Sequence, residues 1–236
     1  MRGPLRGRLP SYGYSIVTVT PVPQSLPDAP VAGFPHGRVP RTVRAEQLLD
    51  VAEELFATVG YGLTSIERIA QAAGVTRPVV YGHFGSKDGI YLACLRRARG
   101  QLEKAIFDAT SSTTDPREQL ELGADAYFGF VESDVARWRV LFGGGAAVSG
   151  EVAEEAMELH LATERQFAAL LAAAAPGADD ELVRAYAHGI GGAAHQIAEW
   201  WLRTKGIPRQ TVVRWYCELC WCGMGPVVQR RGAKPA

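Results

Sequence analysis

TSIERIAQAAGVTRPVVYGHFGSK, residues 64–87, is the stretch whose reading decides the fold. Thr64 precedes Glu67 by three positions, the spacing of a capping box, so a helix is expected to start there with its free N–H groups satisfied. Ile66, Ile69, Ala70 and Ala73 share one helical face. Gly74 can take the left-handed conformation that ends a helix. Thr76 can cap a second helix, and Pro78 falls in its first turn, where a missing N–H costs little. Val80 and Phe84 are four apart and turn inward together, leaving Arg77, Val79, Tyr81 and His83 for other faces. Two short helices joined by a tight turn make a helix-turn-helix.

The pattern T-S-I-x-x-I-A-x-x-A-G-V-T-x-P-x-V-Y-x-H-F-x-x-K resembles, in register and without a gap, the DNA-binding signature of the TetR (tetracycline-repressor-like) regulators. The resemblance implies an all-α chain: a helix-turn-helix DNA-binding domain at 39–88, then a helical effector-binding and dimerisation domain at 89–229. It also implies that Thr64 or Ser65, Tyr81, His83 and Lys87 contact phosphates, which position a protein on DNA without specifying sequence. Hydroxyls and a ring N–H suit phosphate oxygens, and Lys87 sits at a helix N-terminus, itself an anion site. Arg77 is the candidate base reader, because a guanidinium can bind O6 and N7 of guanine together. Thr76, Pro78 and Val79 are candidates for thymine methyls or nearby backbone. Arg68 stands where the family often has an acidic residue, and Gly82 where many members present a side chain to DNA.

So short a recognition helix reads few base pairs. Two copies are needed, which implies a homodimer on a palindromic double-stranded operator with half-sites about 34–36 Å, or a larger multiple of the helical turn, apart. In such families the last two helices pair with their mates. Gly189, Gly191, Gly192, Ala193 and Ala194 permit close approach of backbones, and several of Trp200, Trp201, Trp215, Tyr216 and Trp221 are expected to anchor the interface. The middle region of the family encloses a small-molecule pocket. The candidate lining residues are Phe107, Tyr127, Phe128, Trp138, Phe142, His160 and Phe167, and so apolar a set suits a hydrophobic or aromatic effector. The expected activity is that of a repressor released by its effector, with an activator as the alternative on the same fold.

Composition is compatible with this. The 236 residues are 47% hydrophobic, enough for a sizeable core. Net charge is zero but uneven: +2 over 1–37, +2 over 38–108 and −4 over 109–236, with the helix-turn-helix at the basic end. No apolar run approaches the roughly 20 residues of a membrane helix. Pro and Gly interrupt any apolar segment behind Arg2, Arg6 and Arg8, so a cytoplasmic location is expected.

Along the chain, 1–38 shows no helical period and is expected to be a disordered extension. Read as a basic arm for the minor groove instead, it would rely more on Arg38, Arg41 and Arg44 than on the earlier arginines. Helix 1 is expected over 41–59, with a stripe of Ala45, Leu48, Leu49, Ala52, Leu55, Phe56 and Val59, ended by Gly60. Ser86 should cap a helix of about twenty residues that leaves the first domain for the second. After the polar break 109–115, helices are expected over 116–132, 134–142, 151–175, 179–205 and 208–227. The loop 143–150 reads as flexible, 230–236 as a disordered tail, and no internal repeat is found.

Other chemistries are weaker. Cys217, Cys220 and Cys222 could form a thiol or metal sensor, since the first two lie at i, i+3 on a helix, but no second pair matches them. His188, His195 and Glu199 lie near one helical face, which would suit a helical metalloenzyme, but paired Glu-x-x-His motifs are missing. A phosphate-cradling loop is missing too. Neither an enzyme nor a resident cofactor is expected.

Overall fold

The structure is a computed structural model. It describes residues 39–143, 153–155, 158, 165, 168–169, 171–173 and 175–229. The extension 1–38, the loop 144–150, much of 151–175 and the tail 230–236 lie outside the described residues, as do the pocket candidates His160 and Phe167.

Eight helices can be followed from end to end: α1 (Arg41–Leu63), α2 (Ile66–Ala72), α3 (Arg77–Phe84), α4 (Lys87–Thr110), α5 (Pro116–Ser133), α6 (Val135–Gly143), α7 (Asp180–Arg203) and α8 (Arg209–Gln229). Helix α1 breaks at Gly60 (φ 82°, ψ 163°), where the apolar stripe ends.

The first domain closes around one fully buried residue from each of four helices: Leu48, Ile69, Val80 and Ile90. Burying each such side chain is worth about 1.5–3 kcal/mol, so the helical spacing of the quoted stretch translates directly into this core. The turn between α2 and α3 needs Gly74 at φ 65°, which costs a glycine least. The Val75 N–H reaches back to the Ala70 carbonyl at 2.9 Å across that turn. At the end of α3 the backbone runs against the first turn of α4: a Cβ at Gly89 would meet the Phe84 carbonyl oxygen at 2.0 Å. Any side chain there forces α3 and α4 apart.

Helix α4 runs 24 residues, capped by Ser86 Oγ, which accepts from the Gly89 N–H at 2.9 Å. It passes from the first domain to the second, where α5 lies against α4, α6 and α8. Asp115 caps α5 and Asp179 caps α7, each accepting two backbone N–H groups. The core is continuous across both, and in the second domain it holds Phe128, Val131, Trp138, Ala198 and Val212, all fully buried. Among the described residues no helix is long and apolar enough to cross a membrane.

Candidate nucleic-acid interface

Helix α3 buries Val80, and half-buried Val79 and Phe84 flank it; Thr76, Arg77, Pro78, Tyr81 and Gly82 face outward. Tyr81 is 51% exposed, which for a large aromatic on so short a helix leaves a ring available to a partner. Ser65 is exposed as well. The exposed residues thus lie at the start of α2 and along the outer side of α3.

Thr64 must be corrected. It is 2% exposed, and its hydroxyl donates to the Gly60 carbonyl at 2.8 Å, so it stitches the break in α1 and has no face for a phosphate. The cap of α2 falls to Ser65, whose Oγ accepts from the Arg68 N–H at 3.2 Å. The N-cap is therefore shifted by one residue, with Arg68 where a capping box would need Glu or Gln, and Ser65 is the residue left at the surface. Thr76 occupies the N-cap position of α3 but makes no side-chain cap.

Lys87 is half-buried, with Nζ 4.0 Å from the centroid of the Tyr61 ring. A cation over an aromatic face is attracted by the ring quadrupole. Tyr61 in turn donates to the Asp88 carboxylate and packs against Phe56 and Tyr91. Burial and the Asp88 carboxylate hold its hydroxyl above the ordinary tyrosine range. The ammonium group of this first residue of α4 is thus steadied over the Tyr61 ring.

His83 is half-buried, and its imidazole is held below the ordinary histidine range by burial, then by the positive charges of Arg41 and Arg44. Arg77 lies 3.9 Å from the Glu67 carboxylate, with both side chains largely exposed. Solvent-exposed pairs of this kind are worth little, so Arg77 can leave Glu67 for a base at small cost. The departure at Arg68 also finds its place: the guanidinium turns back and donates to the Leu63 carbonyl at 2.9 Å.

In the second domain Tyr127, Phe128, Trp138 and Phe142 do come together. Trp138 Nε1–H donates to the Tyr127 hydroxyl oxygen at 3.0 Å, and Tyr127 and Phe128 meet edge to face at 5.2 Å. The His195 ring, not among the expected pocket residues, joins them: it stacks on Trp138 at 5.4 Å and lies 5.5 Å from Phe142. Burial raises the Tyr127 hydroxyl, so it is a neutral hydrogen-bonding group inside an aromatic cluster. Phe107 is corrected: it is 69% exposed on α4 and does not join the cluster. A groove of about 560 Å³ opens elsewhere, between α5 and α8, over Leu120, Val213, Trp221 and the charged Arg117 and Glu121, and takes in none of the predicted pocket residues.

The aromatics of α7 and α8 divide. Of the five aromatics from which several anchors were expected, Trp201 and Tyr216 lie in the core, where both meet Phe128 edge to face. Trp200 and Trp215 remain 42% and 44% exposed, 6.4 Å apart, with exposed Leu219 on the same helix as Trp215. A Cβ at Gly189, Gly191 or Gly192 would meet nothing within 4 Å, so these glycines leave the backbone of α7 bare. Among the described residues no three His, Cys, Asp or Glu side chains are grouped to hold a metal ion.

Comparison with known proteins gives the same assignment. Residues 48–94 match the family described as bacterial regulatory proteins, tetR family, and residues 116–223 match the tetracyclin repressor-like C-terminal domain. The HTH-type transcriptional activator FasR of Mycolicibacterium smegmatis is 32% identical over 202 residues, covering 84% of this chain and 91% of FasR. A TetR-like transcriptional regulator from Rhodococcus sp. RHA1 superposes with a TM-score of 0.67 at 26% identity, over 80% of this chain and 99% of that one. The regulator FadR of Bacillus subtilis, solved in complex with stearoyl-CoA, shares the fold at a TM-score of 0.65 and 20% identity, over 74% of this chain and 96% of its own. With its outward recognition helix and a family match in each half, the chain belongs to the TetR family of ligand-responsive, DNA-binding transcriptional regulators.

Proposed function

We propose that the protein acts as a homodimer that reads a palindromic operator with α3 and responds to a long-chain acyl effector admitted between α5, α6 and α7. The observation that carries the DNA half is the outward face of α3, where Arg77, Pro78 and Tyr81 are exposed over a buried Val80. Arg77 reads guanine, while Ser65, Tyr81, His83 and Lys87 hold phosphates. The dimer forms through α7 and α8, where Trp200, Trp215 and Leu219 are exposed beside bare glycine backbone.

The effector reading rests on chemistry. Tyr127, Phe128, Trp138 and Phe142 offer apolar rings with few polar groups, which favours a hydrophobic ligand. The likeness of fold to a regulator solved with stearoyl-CoA supports an acyl chain as that ligand. An effector shifts operator occupancy only by its difference in affinity for the two conformations, so it must bind one of them better: the released state for relief of repression, the DNA-bound state for activation. Repression relieved by the effector is the simplest outcome. Activation is favoured by one observation, the full-length similarity to a relative named as a transcriptional activator.

Selection of bound duplexes from a random pool tests DNA reading, symmetry and spacing together; a recovered palindrome is expected, and an asymmetric single site would overturn the dimer. Sedimentation of Trp215→Glu should then give a monomer where the native chain gives a dimer. Titration of the operator complex with stearoyl-CoA, stearate and CoA separately tests the effector, with release or tightening expected from the acyl compounds and none from CoA alone.

A further inference from the structure

Six charged side chains from three helices converge where the two domains meet. Helix α1 brings Glu46, Asp50 and Glu53, α4 brings Arg97, and α6 brings Arg137 with Asp134 just before its first residue. Glu53 is the centre, its side chain 3% exposed. Arg97 grips it from α4 with both ends of the fork, Nε to Oε1 at 3.0 Å and a terminal nitrogen to Oε2 at 2.5 Å. Arg137 closes from α6, with Nε donating to the same Oε2 at 2.9 Å. The remaining donors are shared: Arg97 with Glu46 at 2.7 Å and Asp50 at 2.8 Å, and Arg137 with Asp134 at 3.0 Å and Asp50 at 3.5 Å.

We propose that Arg137 is a releasable latch between the effector domain and the DNA-binding domain, closing on a Glu53 carboxylate that Arg97 holds whether the latch is open or shut. Three features support it. Stripping every partner from a buried carboxylate is prohibitive, but with Arg137 withdrawn Glu53 would keep both bonds to Arg97, so the latch can open without leaving the carboxylate unpaired. Next along α6, Trp138 packs in the aromatic cluster against Tyr127 and His195. An occupant that displaces that indole displaces α6, and Arg137 with it. Third, α1 carries the pull onward: its Arg41 guanidinium donates to the Gly82 carbonyl of α3 at 2.9 Å. Arg137 is thus a positioning residue for the recognition helix, acting through α1. The effector arm of this proposal rests on the acyl reading above; the coupling of α6 to α1 does not.

The test uses the full chain and an operator recovered by selection. Arg137→Ala should shift the ligand-free operator Kd by at least about fivefold, and should bring the ratio of Kd values with and without stearoyl-CoA toward one. Arg139→Ala removes the same charge from an exposed position on α6 and should stay within about twofold of the native chain on both measures. If Arg137→Ala lacks a cooperative melt, Arg137→Gln, which keeps the length and loses the charge, replaces it with the same expectation. Native-like ligand-free Kd and native-like ratio in the folded variant overturn the latch. Should stearoyl-CoA leave the native chain's Kd unchanged, the acyl reading fails, and the ligand-free comparison alone decides the latch.

Discussion

The guanidinium of Arg41, in the first turn of α1, donates to the main-chain oxygen of Gly82 in the last turn of α3, 2.9 Å away. The last carbonyls of a helix have no partner within it, so Arg41 satisfies one of them and ties the two helices together. Arg41, expected at the start of helix 1, also braces the recognition helix.

Replacement at each end of this bond should therefore have opposite effects on stability. Gly82 lies inside α3 with nothing within 4 Å of a Cβ, so Gly82→Ala should stabilise the fold by about 0.5–1 kcal/mol through helix propensity. Arg41→Ala should lower stability by about 1 kcal/mol and weaken operator binding, because α3 loses its brace. Chemical denaturation of both variants decides this; a stabilised Arg41→Ala would show that the bond does not hold α3.

Arg77 and Lys87 should separate cleanly in DNA binding. Arg77→Ala should relax discrimination at one base pair of the operator by about 1–3 kcal/mol. Lys87→Ala should weaken all duplexes alike and reduce the slope of log K against log salt by about one. Competition among single-base operator variants, repeated over a range of salt, measures both; a sequence-selective loss in Lys87→Ala would remove it from the phosphates.

His83 adds a pH dependence whose sign follows from its depressed imidazole. The unfolded chain has a histidine of about pH 6.5 and binds the proton more readily than the folded one. The stability it contributes is complete above that value and is lost as pH falls through the lower, folded pKa. Denaturation midpoints at pH 7.5 and 5.5 should differ less in His83→Gln than in the native chain. A phosphate beside the ring favours the charged form, so operator affinity should rise on acidification in the native chain and less in the variant.

The cysteines should be silent. Burial, then the Glu121 carboxylate, pushes the Cys217 thiol up to about 12, and burial raises Cys94 and Cys220 as well. Only the thiolate reacts or binds metal, and Cys222 is the exposed one. A thiol reagent at pH 7.5 should modify at most one of the four cysteines in the native protein and all four after denaturation. Operator binding should be indifferent to reductant; a large change on oxidation would revive a thiol-sensor role.

Much of the first domain was legible in the residues, because its determinants are local. Val80 against Phe84, the Ser86 cap and the Gly74 turn depend on spacings of three to five residues, which a helix converts into faces and ends. Where two neighbours could do the same job, spacing did not choose: Thr64 and Ser65 both suit a cap, and the break at Gly60 drew the Thr64 hydroxyl inward.

Local pattern thus determined the helical class and the helix-turn-helix, and resemblance to a known signature the family; of the set expected on the other faces of α3, Arg77 and Tyr81 are exposed while Val79 and His83 are half-buried. Tertiary structure decided what depends on partners distant in sequence. Trp200 and Trp201 are adjacent and chemically identical, yet the packing of α7 left one at the surface and buried the other against Phe128. Glu53 interrupts an apolar stripe in α1, and only the arrival of Arg97 and Arg137, from helices far along the chain, makes its burial tolerable. Helical periodicity is written in neighbouring residues. The neutralisation of a buried charge is written in contacts between helices, which exist only once the chain has folded.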